Sequence, residues 1–223
     1  MKEQVYEIIS LLATIAYFVP ACIVIFKSLW KDPYFLYLGL YWLAGAVVNI
    51  LTGIPGAPSE VIAVLYNMVD IPFMLWILWY TSFSSSLARI LKVVIAAYII
   101  IELALVIAYG INYDSIKYIM GIGVLLVLIT LVWEITLYLQ RIEHSNRERA
   151  MLFIYAALLF EYGSYTVVYI FDYFIMPPSQ VDTLLIYYSS SLIAISIATF
   201  GFLLKKNRKA LAVKQRTMNN EQY

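Results

Sequence analysis

The chain has 223 residues, of which 63% are hydrophobic and only 13% are charged, and its mean hydropathy is +0.83. Average soluble chains carry about 25% charged residues, so this composition excludes a soluble globular domain. The formal net charge of +1 gives no basis for nucleic-acid binding. The composition therefore predicts an integral membrane protein.

Seven segments are long and apolar enough to cross a bilayer, which takes roughly 20 residues of helix. They lie at about 7–28, 34–55, 61–82, 91–110, 117–139, 151–173 and 183–204. The first is read as a retained helix rather than a cleaved signal, because it is long and no small-x-small site follows it. The connections are short, so residues 1–204 are predicted to form one all-α domain, a seven-transmembrane-helix bundle. Residues 205–223 are predicted to form a basic, disordered cytoplasmic tail.

The placement of basic residues predicts the orientation of this bundle. Thirteen of the 15 lysines and arginines fall in the tail or in the loops that follow segments one, three and five, whereas only Lys2 and Lys117 fall on the other side. The positive-inside rule then places the N-terminus outside and the C-terminus in the cytoplasm. The predicted location is the cytoplasmic (inner) or plasma membrane. The tail either binds anionic lipid headgroups or serves only to set the topology.

Apart from Glu7 and Asp172 at segment ends, four carboxylates lie within the seven segments, namely Asp70, Glu102, Glu134 and Glu161. Charge in hydrocarbon is costly and usually functional, and lysine and arginine occur only near the segment ends, where they cannot neutralise these acids. We therefore expect Asp70, Glu102 and Glu161 to be protonated hydrogen-bond donors, to bind a cation or to exchange protons. Glu134 lies near the inner end of its segment and is expected to reach the interface.

Polar residues concentrate in the outer halves of segments two, three, six and seven. In segment six, Glu161, Tyr165 and Tyr169 share one helical face, which lipid cannot satisfy. Pro72 follows Asp70 and either helps to line a site through a kink or serves only in packing. The pattern predicts an outward-facing polar pocket, with a ligand-free network of interhelical hydrogen bonds as the alternative. The candidate ligand-binding or proton-relay residues are Asn49, Tyr66, Asn67, Asp70, Glu102, Glu161, Tyr162, Tyr165, Tyr169, Tyr187 and Ser190.

Segments six and seven resemble those of the microbial rhodopsins. The family's sixth helix carries Trp-x-x-Tyr-Pro-x-x-Trp, and this chain has YGSYTVVY from Tyr162 to Tyr169. In segment seven, Thr183 is followed by Ser190 at the family's counterion position and by Ala194 at its retinal-lysine position. The resemblance implies an opsin-like bundle that cannot bind retinal covalently. The loss of both tryptophans also argues against a non-covalent retinoid.

No catalytic pattern is visible, because the chain has no P-loop, Gly-rich dinucleotide turn or nucleophile elbow and no converging zinc ligands in its segments. The leading interpretation is a non-enzymatic sensor or accessory membrane subunit that binds a small ligand, without a cofactor or metal. The alternative is a proton- or cation-coupled small-solute transporter that uses the buried carboxylates. A three-plus-one-plus-three transporter would share the topology, but its Pro-Gln motif is missing. The expected partners are the bilayer and its anionic headgroups, with a membrane or cytoplasmic protein or a second copy of the chain as further candidates.

Overall fold

The computed structural model describes residues 2–175 and 180–205, with the side chains of residues 113, 114, 116, 172–174 and 180 left out of the description. The helices are α1 Lys2–Ala16, α2 Val19–Phe26, α3 Pro33–Thr52, α4 Ser59–Thr81, α5 Ser85–Tyr109, α6 Tyr113–Leu139, α7 Asn146–Phe174 and α8 Gln180–Leu204. No strand occurs in the described ranges. Counting α1 and α2 as one span, seven helices are long and apolar enough to cross a membrane. The predicted all-helical architecture with seven helices of membrane-spanning length is confirmed for the described residues, whereas all but the first residue of the predicted tail lies outside them.

Three helices, α1, α5 and α7, begin five or six residues earlier than the hydropathy pattern predicts, and two of them have side-chain caps. The α5 helix begins at Ser85 because the side chain of Ser84 accepts a hydrogen bond from the Leu87 N–H. Likewise, α7 begins after Ser145, which forms a reciprocal capping box with Glu148. Such caps satisfy backbone N–H groups of a polar first turn. Hydropathy locates the apolar part of a helix, whereas its capping residues decide where the helix begins.

Six of the seven spans pack around a ring, in the order in which they occur along the chain. The α3, α4, α6, α7 and α8 helices form most of this ring, and the α1–α2 pair closes it by packing against α3 and α8. The α5 helix lies outside the ring, against α4 and α6. We call the end with Lys2 and the turns at 53–58 and 110–112 the N-terminal end, and the end with the turns at 27–32, 82–84 and 140–145 the C-terminal end. Charge placement predicts that the N-terminal end faces outside.

The first span is interrupted, which the sequence analysis did not predict. Pro20 has no N–H with which to continue the helical hydrogen bonds, and α1 and α2 are separated at Tyr17 and Phe18. The Tyr17 side chain is directed into the bundle, where it is 4% exposed. Gly45 of α3 makes room for it, since a Cβ at that position would lie 3.0 Å from Tyr17 Cε1. The break therefore brings a tyrosine of the first span to the centre of the ring.

Glu134 does not reach the interface, so that prediction is wrong. The residue is fully buried in α6. Its carboxylate accepts hydrogen bonds from the Ser82 hydroxyl and, at 3.2 Å, from the Phe83 N–H. A carboxylate held by two donors of a neighbouring turn has no need to extend to the surface. Glu134 thus fastens the turn between α4 and α5 to α6.

Candidate functional site

Side chains from the α1–α2 break and from α3, α4, α7 and α8 enclose a cavity of about 50 Å³, which we call the central pocket. Its lining residues are Tyr17, Tyr41, Tyr66, Asn67, Asp70, Glu161, Tyr162, Tyr165 and Tyr187. Asp70 and Glu161 lie near the middles of α4 and α7. Asn67, Tyr165 and Tyr187 are partly exposed and lie closer to the N-terminal end. The pocket is therefore midway along the bundle and is lined with oxygen-bearing side chains.

Asp70 is held by tyrosines from across the ring. The Tyr162 hydroxyl donates a hydrogen bond of 2.9 Å to Asp70 Oδ2, and the Tyr41 hydroxyl in turn donates to Tyr162 at 3.3 Å. The Tyr66 hydroxyl also interacts with this carboxylate. The second oxygen, Asp70 Oδ1, is buried and has no hydrogen-bond partner among the described residues. One oxygen of the Asp70 carboxylate, Oδ2, is thus hydrogen-bonded to the protein. The other, Oδ1, is available to a bound species.

Glu161 has a similar arrangement, with Tyr17 as its neighbour. The Tyr17 hydroxyl lies 3.2 Å from Glu161 Oε1, 3.0 Å from Ser191 Oγ and 3.4 Å from the Tyr187 hydroxyl. The other oxygen, Glu161 Oε2, is buried without a hydrogen-bond partner among the described residues. The indole N–H of Trp42 is close enough to interact with the carboxylate but forms no hydrogen bond of normal geometry. The pocket therefore contains two carboxylates, each with one unpaired oxygen.

The size and chemistry of the pocket restrict its occupants. A volume of about 50 Å³ suits one or two water-sized species, because a water takes up roughly 30 Å³ in the liquid. Drug-sized ligands occupy sites of roughly 300–1,000 Å³. None of the lining residues is lysine, arginine or histidine, and the described residues include no group of three or more His, Cys, Asp or Glu side chains placed to hold a metal ion. The arrangement suits a proton, water or a small monovalent cation.

The structure brings together seven of the eleven residues predicted for the site. They are Tyr66, Asn67, Asp70, Glu161, Tyr162, Tyr165 and Tyr187. The four others, Asn49, Glu102, Tyr169 and Ser190, do not line the pocket. Asn49 Nδ2 has no hydrogen-bond partner among the described residues, Glu102 is buried on α5, and Tyr169 donates to the backbone carbonyl of Lys117. Ser190 donates to carbonyls of its own helix. The α4 helix continues through Pro72, which does not line the pocket.

Two lining residues, Tyr17 and Tyr41, were not among the predicted candidates. Pro20, three residues after Tyr17, was a usable signal, because a proline within an apolar segment often interrupts the helix. Tyr41 precedes Gly45 by one helical turn, so both share a face of α3. A tyrosine one turn from a glycine in a membrane-length helix indicates a close and polar helix contact.

Comparison of the chain with protein-family models, with curated proteins and with solved structures gave no match. No match therefore supports the resemblance to the microbial rhodopsins, and Ala194, which that resemblance aligned with the retinal lysine, is fully buried in α8. The grounds for a functional proposal are therefore the seven-helix ring and the chemistry of the central pocket.

Proposed function

We propose that the chain is a non-enzymatic integral membrane protein whose central pocket takes up a proton or a small monovalent cation from the outer side. In this proposal its N-terminus lies outside and its C-terminus in the cytoplasm, as the positive-inside rule favours. The protein would act as a sensor or as an accessory subunit of a membrane complex. A change in the occupancy of the pocket would be its signal.

The observation that carries this proposal is the pair of unpaired carboxylate oxygens, Asp70 Oδ1 and Glu161 Oε2, at the centre of an apolar bundle. A buried polar atom without a partner requires an explanation such as a bound water or ion. Anionic groups in hydrocarbon also require neutralisation, and the lining residues of the pocket supply no cationic side chain. An added proton or cation satisfies both requirements at once.

Aromatic packing towards the C-terminal end of the bundle supports a binding site rather than an open channel. Phe35, Trp42, Tyr155 and Phe202 are fully buried there. Three of these rings are in contact, because the ring centroid of Phe202 lies 5.8 Å from that of Phe35 and 5.9 Å from that of Trp42. Hydrophobic constrictions block ion passage by excluding water. Uptake from the N-terminal end, past the partly exposed pocket residues, is therefore the access route that we propose.

The resemblance to microbial rhodopsins remains part of the proposal in a reduced form. An opsin-like ancestry is compatible with the seven-span ring, with the tyrosines of α7 at its centre and with the alanine at the retinal-lysine position. A pocket of about 50 Å³ argues that no retinoid has taken the place of the covalent chromophore. A small ion or proton is the occupant that fits the present side chains.

A melting experiment in nanodiscs tests the proposal. A ligand that binds only the folded state stabilises it by about 2.7 kcal/mol at one hundred times its Kd, so the melting temperature should rise with Na⁺ relative to choline, or on acidification. Asp70→Asn and Glu161→Gln should abolish this rise. Glu60→Gln, which changes an exposed acid of the same helix as Asp70, should retain it. A wild-type protein that responds to neither cation nor pH refutes the proposal, as does a response that survives both pocket substitutions.

One observation favours a second candidate, a proton- or cation-coupled transporter. The first span is interrupted at Tyr17, directly beside Glu161, and coupled transporters often build their ion sites at such breaks in membrane helices. The measurement that separates the candidates is solute flux in proteoliposomes driven by a proton or sodium gradient. Flux that is lost in Asp70→Asn and Glu161→Gln would favour the transporter.

A further inference from the structure

The α2 helix is a short segment with an irregular backbone on each side. It has eight residues, Val19–Phe26, so it is about 12 Å long at a rise of 1.5 Å per residue. Before it, the first span is interrupted between α1 and α2. After it, Ser28 has a φ of 54° and lies in the left-handed region, and it alone among the described non-glycine residues has a positive φ. Backbone held in such a sparsely populated conformation is typical of switch regions.

Tyr17 ties one end of α2 to the central pocket. It lies two residues before α2, and its hydroxyl is 3.2 Å from Glu161 Oε1 and 3.0 Å from Ser191 Oγ. Its single proton cannot be donated to both partners. A hydrogen bond to a charged acceptor is about twice as strong as one to a neutral acceptor. Neutralising Glu161, which lines the pocket, therefore weakens its hold on Tyr17 and favours Ser191.

Lys27 ties the other end of α2 to the last turn of α8. The ammonium group of Lys27, the residue after α2, donates hydrogen bonds to the backbone carbonyls of Leu203 at 2.6 Å and Lys205 at 2.8 Å. Carbonyls at the end of a helix have no partner within that helix, and a cation there is favoured by the helix dipole. Lys205 also forms an ion pair of 3.0 Å with Asp32 in the turn that follows α2. The end of α2 is thus bonded to the point where the predicted cytoplasmic tail begins.

Between these two ends, α2 is packed closely against α3. Val24 is 3% exposed, and a Cβ added at Gly39 of α3 would lie 2.9 Å from its Cγ2. Small residues at such contacts let helix backbones approach each other. Pro20 is also buried, and its ring fixes its own φ. A displacement of Tyr17 is therefore carried along α2 to Lys27 rather than absorbed by loose packing.

We propose that α2 transmits the occupancy of the central pocket to the C-terminal end of α8. When a proton or cation neutralises Glu161, the Tyr17 hydroxyl shifts its hydrogen bond towards Ser191 and α2 moves with it. Lys27 then carries this movement to the last turn of α8. The inference rests on the proposed function, because it concerns the output of the same sensor. The surface that a partner reads is then the end of α8 and not the pocket itself.

The chain offers a native probe for this movement, because its one cysteine, Cys22, is exposed on α2. A trifluoromethyl label on Cys22 gives one ¹⁹F resonance from the full chain in nanodiscs. Replacing choline by Na⁺, or acidifying the sample, should shift or split this resonance. Tyr17→Phe, which removes only the hydroxyl, and Glu161→Gln should each abolish the response. Tyr6→Phe, which changes a tyrosine of α1 outside the pocket lining, should retain it.

A label at another position excludes a general effect of salt or pH. In a Cys22→Ser background, Val93→Cys places the label on α5, at a position that is 71% exposed and outside the ring. Its resonance should not respond to Na⁺ or acid. A resonance that responds as strongly as that of labelled Cys22 overturns the assignment of the movement to α2.

A third label tests the connection to α8. In the Cys22→Ser background, Leu203→Cys places the label at an exposed position of the last turn of α8, and its resonance should respond to the same occupants. Lys27→Met should abolish this response and leave that of labelled Cys22 intact. Lys31→Met is the matched control, because Lys31 is an exposed lysine of the same turn that lies over the Trp30 ring. It should retain both responses.

The outcomes separate this inference from the proposed function. If the melting temperature responds to cations or pH while labelled Cys22 does not, the transmission is overturned and the proposed function stands. This comparison uses the wild-type sequence, so it holds even if Tyr17→Phe does not fold. A Cys22 response that survives Tyr17→Phe, or a Leu203→Cys response that survives Lys27→Met, also overturns the inference. If the melting temperature and every resonance ignore cations and pH, the proposed function itself is refuted.

Discussion

Gly45→Ala is expected to dislodge the tyrosine on which the geometry of the central pocket depends. The new Cβ would lie 3.0 Å from Tyr17 Cε1 and 3.2 Å from Tyr17 Cδ1, which is closer than carbon atoms normally approach. It would also lie 3.5 Å from the Tyr66 hydroxyl, at ordinary contact distance. The Tyr17 ring must therefore shift slightly, and we expect this shift to weaken the hydrogen bonds of its hydroxyl, including the one to Glu161.

The size of the effect follows from opposing contributions. Overpacking in a well-packed interior costs roughly 1–3 kcal/mol, and each interhelical hydrogen bond lost by the Tyr17 hydroxyl adds roughly 0.6 kcal/mol. Replacing glycine by alanine within a helix returns about 0.5–1 kcal/mol. We expect a net destabilisation of roughly 1–3 kcal/mol. The free energy of unfolding in detergent or nanodiscs is the quantity to measure.

Gly163→Ala is the matched control, because a Cβ at Gly163 of α7 would meet nothing within 4 Å. This control should be as stable as the wild type or more stable by about 0.5–1 kcal/mol. A double-mutant cycle with Tyr17→Phe isolates the hydroxyl, since removing it should cost little once Gly45→Ala has already displaced it. If Gly45→Ala is as stable as Gly163→Ala and leaves the cost of Tyr17→Phe unchanged, the close packing at the helix break is refuted.

Two further predictions concern the C-terminal end of the bundle. Glu134→Gln should lower the free energy of unfolding by roughly 1–3 kcal/mol, because the amide of the new side chain leaves one donor of the 82–84 turn facing an N–H group. The control is Glu143→Gln at an exposed loop position, which should change the free energy of unfolding by less than about 0.5 kcal/mol. Tyr155→Phe removes a hydrogen bond of 2.7 Å to Thr81 Oγ1. It should lower the free energy of unfolding by only about 0.5–1 kcal/mol, because the Thr81 hydroxyl still donates to the backbone carbonyl of Ile77. Equal stability of both glutamine variants, or a Tyr155→Phe cost above about 2 kcal/mol, would contradict these assignments.

The sequence predicted the fold well because the bilayer imposes a simple rule on length and hydropathy. An apolar run of about 20 residues has few alternatives to a helix when no water can satisfy its backbone. The break near Tyr17 escaped prediction because a single proline in a strongly apolar segment changes its mean hydropathy little. The earlier starts of α5 and α7 escaped for the opposite reason, since their first turns are polar.

The site was predicted less completely than the fold. The i, i+4 pattern in α7 correctly indicated that Glu161 and Tyr165 face inward, and both line the pocket. The same pattern placed Tyr169 with them, but Tyr169 lies one turn beyond Tyr165, and its hydroxyl donates to the backbone carbonyl of Lys117 instead. The prediction for Glu134 was wrong for a related reason. A residue close to the end of a helix in the sequence can still have a side chain that does not reach water. Periodicity gives the direction of a side chain, whereas its partner depends on helices that are distant in sequence.

The supply of hydrogen-bond donors is a further argument for the positively charged occupant that we propose. A phenol has one proton to donate, so the Tyr17 hydroxyl cannot serve Glu161, Ser191 and Tyr187 together. Tyr162 donates its proton to Asp70 and accepts one from Tyr41, so the nearby Tyr66 hydroxyl is the tyrosine donor left for this carboxylate. Water added to the pocket would share the same few protons. If a proton or a monovalent cation binds there as proposed, its binding should strengthen the contacts that join α7 to α4 and to the α1–α2 break.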